Sequence, residues 1–600
     1  MLILLLDLLP DDVLAQLRAG NVLYRPDLLQ RPAELTETLT AASVDAIVTR
    51  ADIAPEIIDA WTATRIPTYF VHVVEHDVAA LNEGADVPQR GFSRLTAHGA
   101  DDTAAYVAAF ELLEQQAMRH LPLVGDAGGR DRSGHAVETI ALIGAGLVNL
   151  VTATTLQKAG YAVRIIDADP DPRDDAPWAA YGCSRGGGDA RMFSLSEMNN
   201  FHDKQSLRTM NQQFRRSVQD RGWVVYHEGT LQEHEWRWIE DFERVPVWLA
   251  QRYTEDIFGF NRESHLLWSE WLENEPELFT ASGYLDGIVR LFDSSATFES
   301  KTAVQQRLGA VRRVLSAAQI AEEHPSLAEA VTNGYIAGGV DEVGFTVMAH
   351  AFMRQLVDRL EERGAEFCWN TMARSVVCDP GGPVDRIECD GGPIEAHHYV
   401  VSPGAYGRAL LECSRSRNQI HGVLGVWLTL PNSEPRLTHS LKLRRNGHIV
   451  EAANITIAHD DSNAPLLILG SGYGYTGVDP ANIDPRLLDA LYRGLVDTAA
   501  NYFRHSYELA IASGDISETF RYCVRPWTST GLGIFEQLAT RTGGKYIVTG
   551  GHNTGGFAQA PAVAQAVLAA IQGRRHTMHH LYHPDRMSVF LGPRVTTQRT

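Results

Sequence analysis

The first stretch of the chain alternates short apolar runs with amphipathic ones. The run LILLLDLL is apolar almost throughout, and Asp45–Arg50 (DAIVTR) and Thr68–Val74 (TYFVHVV) are short and rich in β-branched or apolar residues. Between them lie amphipathic pieces such as APEIIDAWTA, and the longer DDTAAYVAAFELLEQQAMRHL follows. Short buried-strand runs alternating with helix-period segments predict a small doubly wound α/β unit over residues 1–122. The opening MLILLLDLLP has no basic start, contains Asp7 and ends at Pro10, so it reads as a buried first strand rather than a signal peptide. Val124–Glu138 (VGDAGGRDRSGHAVE) is rich in Gly and Asp and poor in apolar residues, which marks residues 123–137 as a linker.

A larger unit follows. Ile140–Asp169 (IALIGAGLVNLVTATTLQKAGYAVRIIDAD) reads as strand, glycine turn, helix, strand and terminal acid. Tyr181–Arg191 (YGCSRGGGDAR) is a glycine-rich loop, and residues 200–330 are rich in Trp, Glu and Arg at helical spacing. Phe345–Phe367 contains a long amphipathic helix ending at a glycine, and HHYVVSPGAYGRALLE predicts a buried strand, a glycine turn and a helix. Strand-like alternation over 420–515 precedes another helix, and Lys545–Gly573 (KYIVTGGHNTGGFAQAPAVAQAVLAAIQG) is again strand, glycine turn and helix. No internal repeat is visible.

Six hundred residues are too many for one core. A net charge of −21 without a basic run argues against nucleic acid as a partner. No run is long enough for a membrane span. The cysteines (183, 368, 378, 389, 413 and 523) are scattered without a C-x-x-C, which fits a reducing, cytoplasmic setting and disfavours a Cys-based zinc site; no metal site is expected.

The turn after IALIG places Gly144 and Gly146 where the backbone must bend and approach a pyrophosphate, and the next helix offers free N–H groups and a positive dipole end. Asp167 closes the second strand, where a carboxylate accepts hydrogen bonds from ribose hydroxyls and disfavours a 2′-phosphate. Asn149 stands where the third glycine of G-x-G-x-x-G belongs, so slightly wider helix–strand packing is expected. This turn alone does not separate FAD from NAD. The second turn, with Gly550, Gly551, Gly555 and Gly556 before a helix, favours FAD. A helix N-terminus stabilises the negative charge of a reduced flavin, for which a nicotinamide has no need.

Four stretches together resemble the D-amino-acid dehydrogenase and glycine/D-amino-acid oxidase family: YIVTGGHNTGGFAQAPA, CVRPWTSTGLGIF (Cys523–Phe535), GGVDEVGFTVMAHAFMRQLVDRLEERGAEF and YVVSPGAYGRALL. Their order and spacing cover roughly residues 138–590. Thr530 and Gly533 depart from that family's R-P-x-T-x-D-G-x-P pattern, and SRGGGDAR is nearer its sarcosine-oxidase branch. The resemblance implies a Rossmann-type FAD-binding domain (138–225, 336–412, 518–590) interleaved with an antiparallel-sheet substrate domain (226–335, 413–517), with a tail at 591–600. It also implies amine oxidation: hydride passes from the carbon bearing nitrogen to flavin N5, the imine hydrolyses to a carbonyl, and oxygen or another acceptor reoxidises the flavin.

The same resemblance assigns roles. Arg525 matches the arginine that orients an α-carboxylate through a planar fork, and His552 lies in the turn near the flavin. The expected FAD-binding set is Gly144, Ala145, Gly146, Leu147, Val148, Asn149, Asp167, Ala168, Arg185, Gly186, Gly187, Gly188, Asp189, Arg191, Cys523, Gly551, His552, Asn553, Thr554, Gly555, Gly556 and Phe557. Asp189 and Arg191 would orient and tune the ring. Cys523 lies close to a cysteine that tethers flavin covalently in the sarcosine-oxidase branch, though alignment on Thr528 puts that position nearer Arg525. A small buried cysteine is the alternative. Ala558 replaces that branch's lysine.

The first unit, in YRPDLLQRPAELTETLTAASVDAIVTRADIAPEIIDA and VVEHDVAALNEGADVPQ, resembles the flavodoxin-like substrate-side half of D-2-hydroxyacid dehydrogenases. That family's catalytic residues lie mainly on its NAD half, which is absent here. His76 and Arg50 therefore receive no catalytic role, and packing, dimerisation or regulation is expected instead. The alternatives to an FAD-dependent amine or amino-acid oxidoreductase, with a small amine substrate in specialised metabolism, are an NAD-dependent 2-hydroxyacid dehydrogenase and a flavin-carrying scaffold without turnover.

Overall fold

Strands form at all three apolar runs of the first unit in a computed structural model that describes residues 1–17, 19–65, 67–75, 91–122, 138–181, 192–198, 212–379, 382–460 and 462–592. These are Ile3–Leu5, Ala46–Thr49 and Thr68–Glu75, and Val22–Tyr24 and Phe92–Gly99 join them. All pair in parallel, in the spatial order Val22–Tyr24, Ile3–Leu5, Ala46–Thr49, Thr68–Glu75, Phe92–Gly99. By sequence that order is 2-1-3-4-5, the flavodoxin-like winding. Ile3, Leu4 and Leu5 are fully buried, as a first core strand requires. Helix Asp102–Met118 starts where Asp101 caps it, accepting from the Ala104 N–H at 2.8 Å.

The second sheet gathers strands from three distant stretches of chain. Its order is Glu366–Cys368, Ala162–Ile166, Thr139–Ile143, His398–Val401, Lys545–Gly550, Ile534–Ala539. All are parallel except the last, which returns antiparallel beside Lys545–Gly550. Register brings Ile143, Ile166, Val401 and Val548 level, so the carboxyl ends of four strands open on one edge. The third sheet is mostly antiparallel. It runs Val311–Ser316, Gly338–Thr346, Leu285–Phe292, Ser440–Arg444, Ala452–His459, Pro465–Gly477, His421–Pro431, Arg521–Trp527, with Met192–Ser194 paired to Gly338–Thr346.

One apolar core joins the first unit to the rest: Leu113, Leu150, Trp248 and Phe590 belong to the same cluster. Polar contacts reinforce it. The N-terminal ammonium and the Asn21 amide donate to the Phe590 carbonyl, each at 3.0 Å. Arg586 is only 1 % exposed and pairs at 2.7 Å with both Glu114 of the first unit and Asp256 of helix Val247–Asn274.

Two expectations change. The helix read after the His398–Val401 strand is only the 3-10 turn Arg408–Leu411, since Gly404 turns left-handed (φ +58°) and Gly407 is packed on Pro403. The cysteine scatter gave no sign of pairing, yet Cys378 and Cys413 are joined by a disulfide across 35 residues, against the reducing-compartment reading. Among the described residues, no helix is long and apolar enough to cross a membrane.

Candidate functional site

The first glycine turn is built from two different demands. Gly144 has φ +94°, and a Cβ there would lie 2.8 Å from the Ser402 carbonyl, so fold and conformation both require glycine. Gly146 caps helix Leu147–Lys158 at an ordinary φ of −62°, and among the described residues a Cβ on it would meet nothing within 4 Å. No described neighbour requires glycine at 146, and the bare backbone at this helix N-terminus has the room a pyrophosphate would need. Asp167 ends its strand half-buried, accepting from the Ala145 N–H and, at 2.7 Å, from the Asp169 N–H. Burial pushes its carboxyl up and these backbone bonds pull it back. Each oxygen keeps lone-pair capacity for a further donor. Ala168 is exposed beside it.

Asn149 does more than fit. Fully buried, its amide donates to the Ile143 and Gly144 carbonyls at 2.9 and 2.8 Å and accepts from the Ser402 hydroxyl at 2.8 Å. Ser402 in turn bonds Thr549 at 2.7 Å, tying the first turn to the strand that leads into the second.

The second turn follows Lys545–Gly550. Gly551 is left-handed (φ +65°), and a Cβ on it would strike Thr528 at 2.5 Å. The Asn553 N–H donates to the Pro526 carbonyl at 3.0 Å and its amide to the Gly531 carbonyl at 2.8 Å. On the other flank Gly555 packs against Met198. Thr554 is half-buried between them. Helix Gly556–Ile571 then begins beside helix Leu147–Lys158, and a Cβ on Gly556 would meet, among the described residues, Val148 alone, at 3.6 Å. Two helix N-termini thus lie together, a doubled positive end for an anionic group. The Phe557 ring is committed elsewhere, 5.1 Å from Trp268 and 5.7 Å from Phe345 in an aromatic core.

His552 is 5 % exposed, and among the described residues neither ring nitrogen has a hydrogen-bond partner. Burial pushes it down to about 4, so the ring is neutral near pH 7. Gly533, one of the departures from the family pattern, has its cause here. A Cβ at 533 would lie 2.6 Å from His552 Nδ1 and 2.8 Å from the Tyr582 ring.

Arg525 and Cys523 face the same side of strand Arg521–Trp527. Arg525 is 7 % exposed and donates to the Gly472 carbonyl at 2.9 Å. Its guanidinium sits 5.6 Å from the Trp427 ring centre and 5.2 Å from that of Tyr473. A Cβ on Gly425 would overlap it at 2.1 Å, so that glycine keeps the slot open. Cys523 is a buried thiol outside the disulfide, opposite Gly425. Arg185, Gly186, Gly187, Gly188, Asp189 and Arg191 lie outside the described residues, as does His76.

The same sheet face carries groups that sequence reading passed over: a buried Lys442–Glu197 ion pair, Asn454 and the Trp427 indole. The lysine in SLKLR lies within strand-like alternation, and only sheet register reveals where it points. Elsewhere, Glu138, His397 and His398 bring ligand-type atoms within 4.8 Å of one another. His398 Nδ1 accepts from the Lys545 N–H at 3.0 Å, which leaves the proton on the Nε2 that faces Glu138. That tautomer suits a hydrogen bond, not a metal ion.

Residues 139–570 match the family model described as DAO, FAD dependent oxidoreductase. Solved structures share the fold at low identity. Glycine oxidase from Bacillus cereus matches with a TM-score of 0.50 and 14 % identity, over 74 % of this chain and 98 % of its own. Iminodiacetate oxidase from Chelativorans sp. matches with a TM-score of 0.50 and 15 % identity, over 74 % of this chain and 98 % of its own. A fructosyl peptide oxidase matches with a TM-score of 0.50 and 12 % identity, over 74 % of this chain and 93 % of its own. The family match begins at residue 139 and does not reach the stretch that resembles 2-hydroxyacid dehydrogenases.

Proposed function

The chain belongs to the DAO family of FAD dependent oxidoreductases, and from that premise we propose that it oxidises the C–N bond of a small amine bearing a carboxylate. The family match removes the basis for an NAD-dependent 2-hydroxyacid dehydrogenase. Gly144–Asn149, Asp167 and Gly551–Gly556 are the residues that would hold FAD. The bound flavin supplies a two-electron acceptor for the carbon that bears nitrogen.

The observation that carries the amine reading is Arg525: a buried guanidinium between two aromatic rings, on the strand whose Pro526 carbonyl holds the second glycine turn. Such a group fixes a carboxylate as a planar fork, in a setting dry enough to make the contact strong. His552, neutral and buried, can donate a hydrogen bond from one ring nitrogen and accept one at the other without adding charge to the site. The amine-oxidising names among the structural relatives agree with this reading. Oxygen or another acceptor then takes the electrons, the imine hydrolyses to a carbonyl, and we place the reaction in specialised metabolism. The first unit is proposed as a packing or dimerising module, testable by light scattering. The scattered cysteines support a cytoplasmic setting, and the Cys378–Cys413 bond counts against it.

The test is an absorption spectrum before and after acid precipitation. Flavin bands in the supernatant support non-covalent FAD, and colour in the pellet makes Cys523 the leading tether. A colourless protein that binds NADH overturns the reading.

A further inference from the structure

The inner face of the third sheet carries more charge than a carboxylate site needs. Register aligns Arg290, Lys442, Asn454, Gly470 and Trp427 in one row across five strands. Paired residues point to the same side, so this row shares the face that bears Cys523 and Arg525. The Trp427 Nε1 lies over Gly470, where a Cβ would come within 2.2 Å, on the Asn454 side. It is buried and has no partner among the described residues.

At the end of the row sits a closed ion pair. Lys442 is 7 % exposed and Glu197 8 %, and they bond each other. Next to it, Arg290 donates to Glu342 at 3.1 Å and to Ser196 at 2.9 Å. The Glu197 carbonyl is held by the Asn261 amide at 2.8 Å, and the next residue, Met198, packs on Gly555. The second glycine turn is therefore bracketed on one flank by the Arg525 strand and on the other by the Glu197–Lys442 pair. From the strand of Trp427 to that of Lys442 is three strand spacings, roughly 14 Å.

A buried ion pair gives little stability over an apolar pair of the same volume, and losing one partner is costly. A lone carboxylate ligand would draw Lys442 away and strand Glu197, and a lone ammonium would do the reverse. A head group that brings both charges satisfies both at once. We propose that Glu197 and Lys442 read a dipolar ammonium–carboxylate head on the substrate, with Asn454 and the Trp427 indole along its shaft and Arg525 on the carboxylate at its other end. The substrate class is then an elongated amine with a carboxylate at one end and an amino-acid head at the other. This rests on the amine-oxidation reading above.

The experiment compares two probes on the full-length, FAD-loaded protein. N6-carboxymethyl-lysine carries the head, and N-pentylglycine has the same reacting end without it. Half-saturation of anaerobic flavin bleaching is measured for each, together with calorimetric binding to the reduced protein, which needs no turnover. The headed probe should bind about 50-fold more tightly, as expected for two charge-assisted contacts. The charge-neutral double variant Lys442→Met/Glu197→Gln should reduce that preference to about threefold or less. Asn454→Leu, should the double variant not fold, should weaken the headed probe alone by about tenfold. Equal binding of both probes by the wild type, or a preference that survives these variants, overturns the proposal while amine oxidation stands. Failure of both probes and of glycine, sarcosine and iminodiacetate to bleach the flavin overturns amine oxidation, and this proposal with it.

Discussion

Two parallel sheets in this molecule begin alike and end differently. In the first, strand Ile3–Leu5 runs into Asp7, and side chains fill the corner at its carboxyl end. Asp7 accepts from the Thr49 hydroxyl at 3.0 Å, the Arg50 N–H at 2.8 Å and the Tyr106 hydroxyl at 2.6 Å. Arg50 lies over the Tyr106 ring and pairs with Asp102. In the second, strand Thr139–Ile143 runs into Gly144 and Gly146, and no described residue occupies the space a Cβ on Gly146 would enter. Both corners are where a doubly wound sheet offers a ligand site. The difference teaches that topology only makes the crevice available. Saturated side chains close it, and bare backbone at a helix N-terminus keeps it open.

Single substitutions should separate the two corners. The largest effect is expected from Gly146→Val. The backbone angle tolerates valine, so the protein should fold, but bound flavin measured at 450 nm against protein should fall about tenfold or more. Full flavin in that variant would mean the open turn is not the cofactor site. Next is Arg525→Met, which should retain flavin and lose about 10²–10³ in kcat/KM for carboxylate-bearing amines, the cost of one buried charged contact. Equal loss on amines without a carboxylate would make Arg525 structural.

Asp7→Ala and Asn149→Ala form a matched pair. Each leaves buried donors or acceptors unmet, and each should cost about 1–3 kcal/mol by denaturant unfolding. Only Asn149→Ala should also weaken flavin retention, because only its bonds hold the open turn. A flavin loss in Asp7→Ala would show that the closed corner communicates with the open one.

The smallest effect concerns His552. Burial lowers its folded value to about 4, beneath an unfolded value near 6.5. Its contribution to stability is therefore complete above about pH 6.5 and is lost as pH falls towards 4. Between pH 6.5 and 5, wild type should lose about 2 kcal/mol more than His552→Gln. Equal slopes would mean the ring is not held neutral.

How much of this was legible in the chain follows from how local each signal is. The first turn was readable because Gly144, Gly146 and Asp167 are fixed by one strand–helix–strand unit. The doubly wound α/β class followed from apolar runs at Ile3–Leu5, Ala46–Thr49 and Thr68–Glu75, but not the strand order, and three-residue Val22–Tyr24 and half-exposed Phe92–Gly99 carried too little pattern to stand out. Asn149 read as a weak substitute for glycine, because its partner Ser402 lies 253 residues away. Gly533 read as a departure, because its reason, the His552 ring, comes from another segment. Lys442 and Glu197, 245 residues apart, meet only through the register of an antiparallel sheet. Hydrophobic periodicity can announce such strands but cannot order them.

The central claim is that the two open glycine turns hold a flavin reduced by an amine bound at Arg525. Its most direct test is an anaerobic titration of the purified protein with iminodiacetate and sarcosine, followed at 450 nm for wild type and Arg525→Met. The account predicts bleaching of the wild type, at concentrations about a hundredfold below those the variant needs. Flavin that binds normally yet stays oxidised with every carboxylate-bearing amine would contradict it and leave a flavin carrier without turnover.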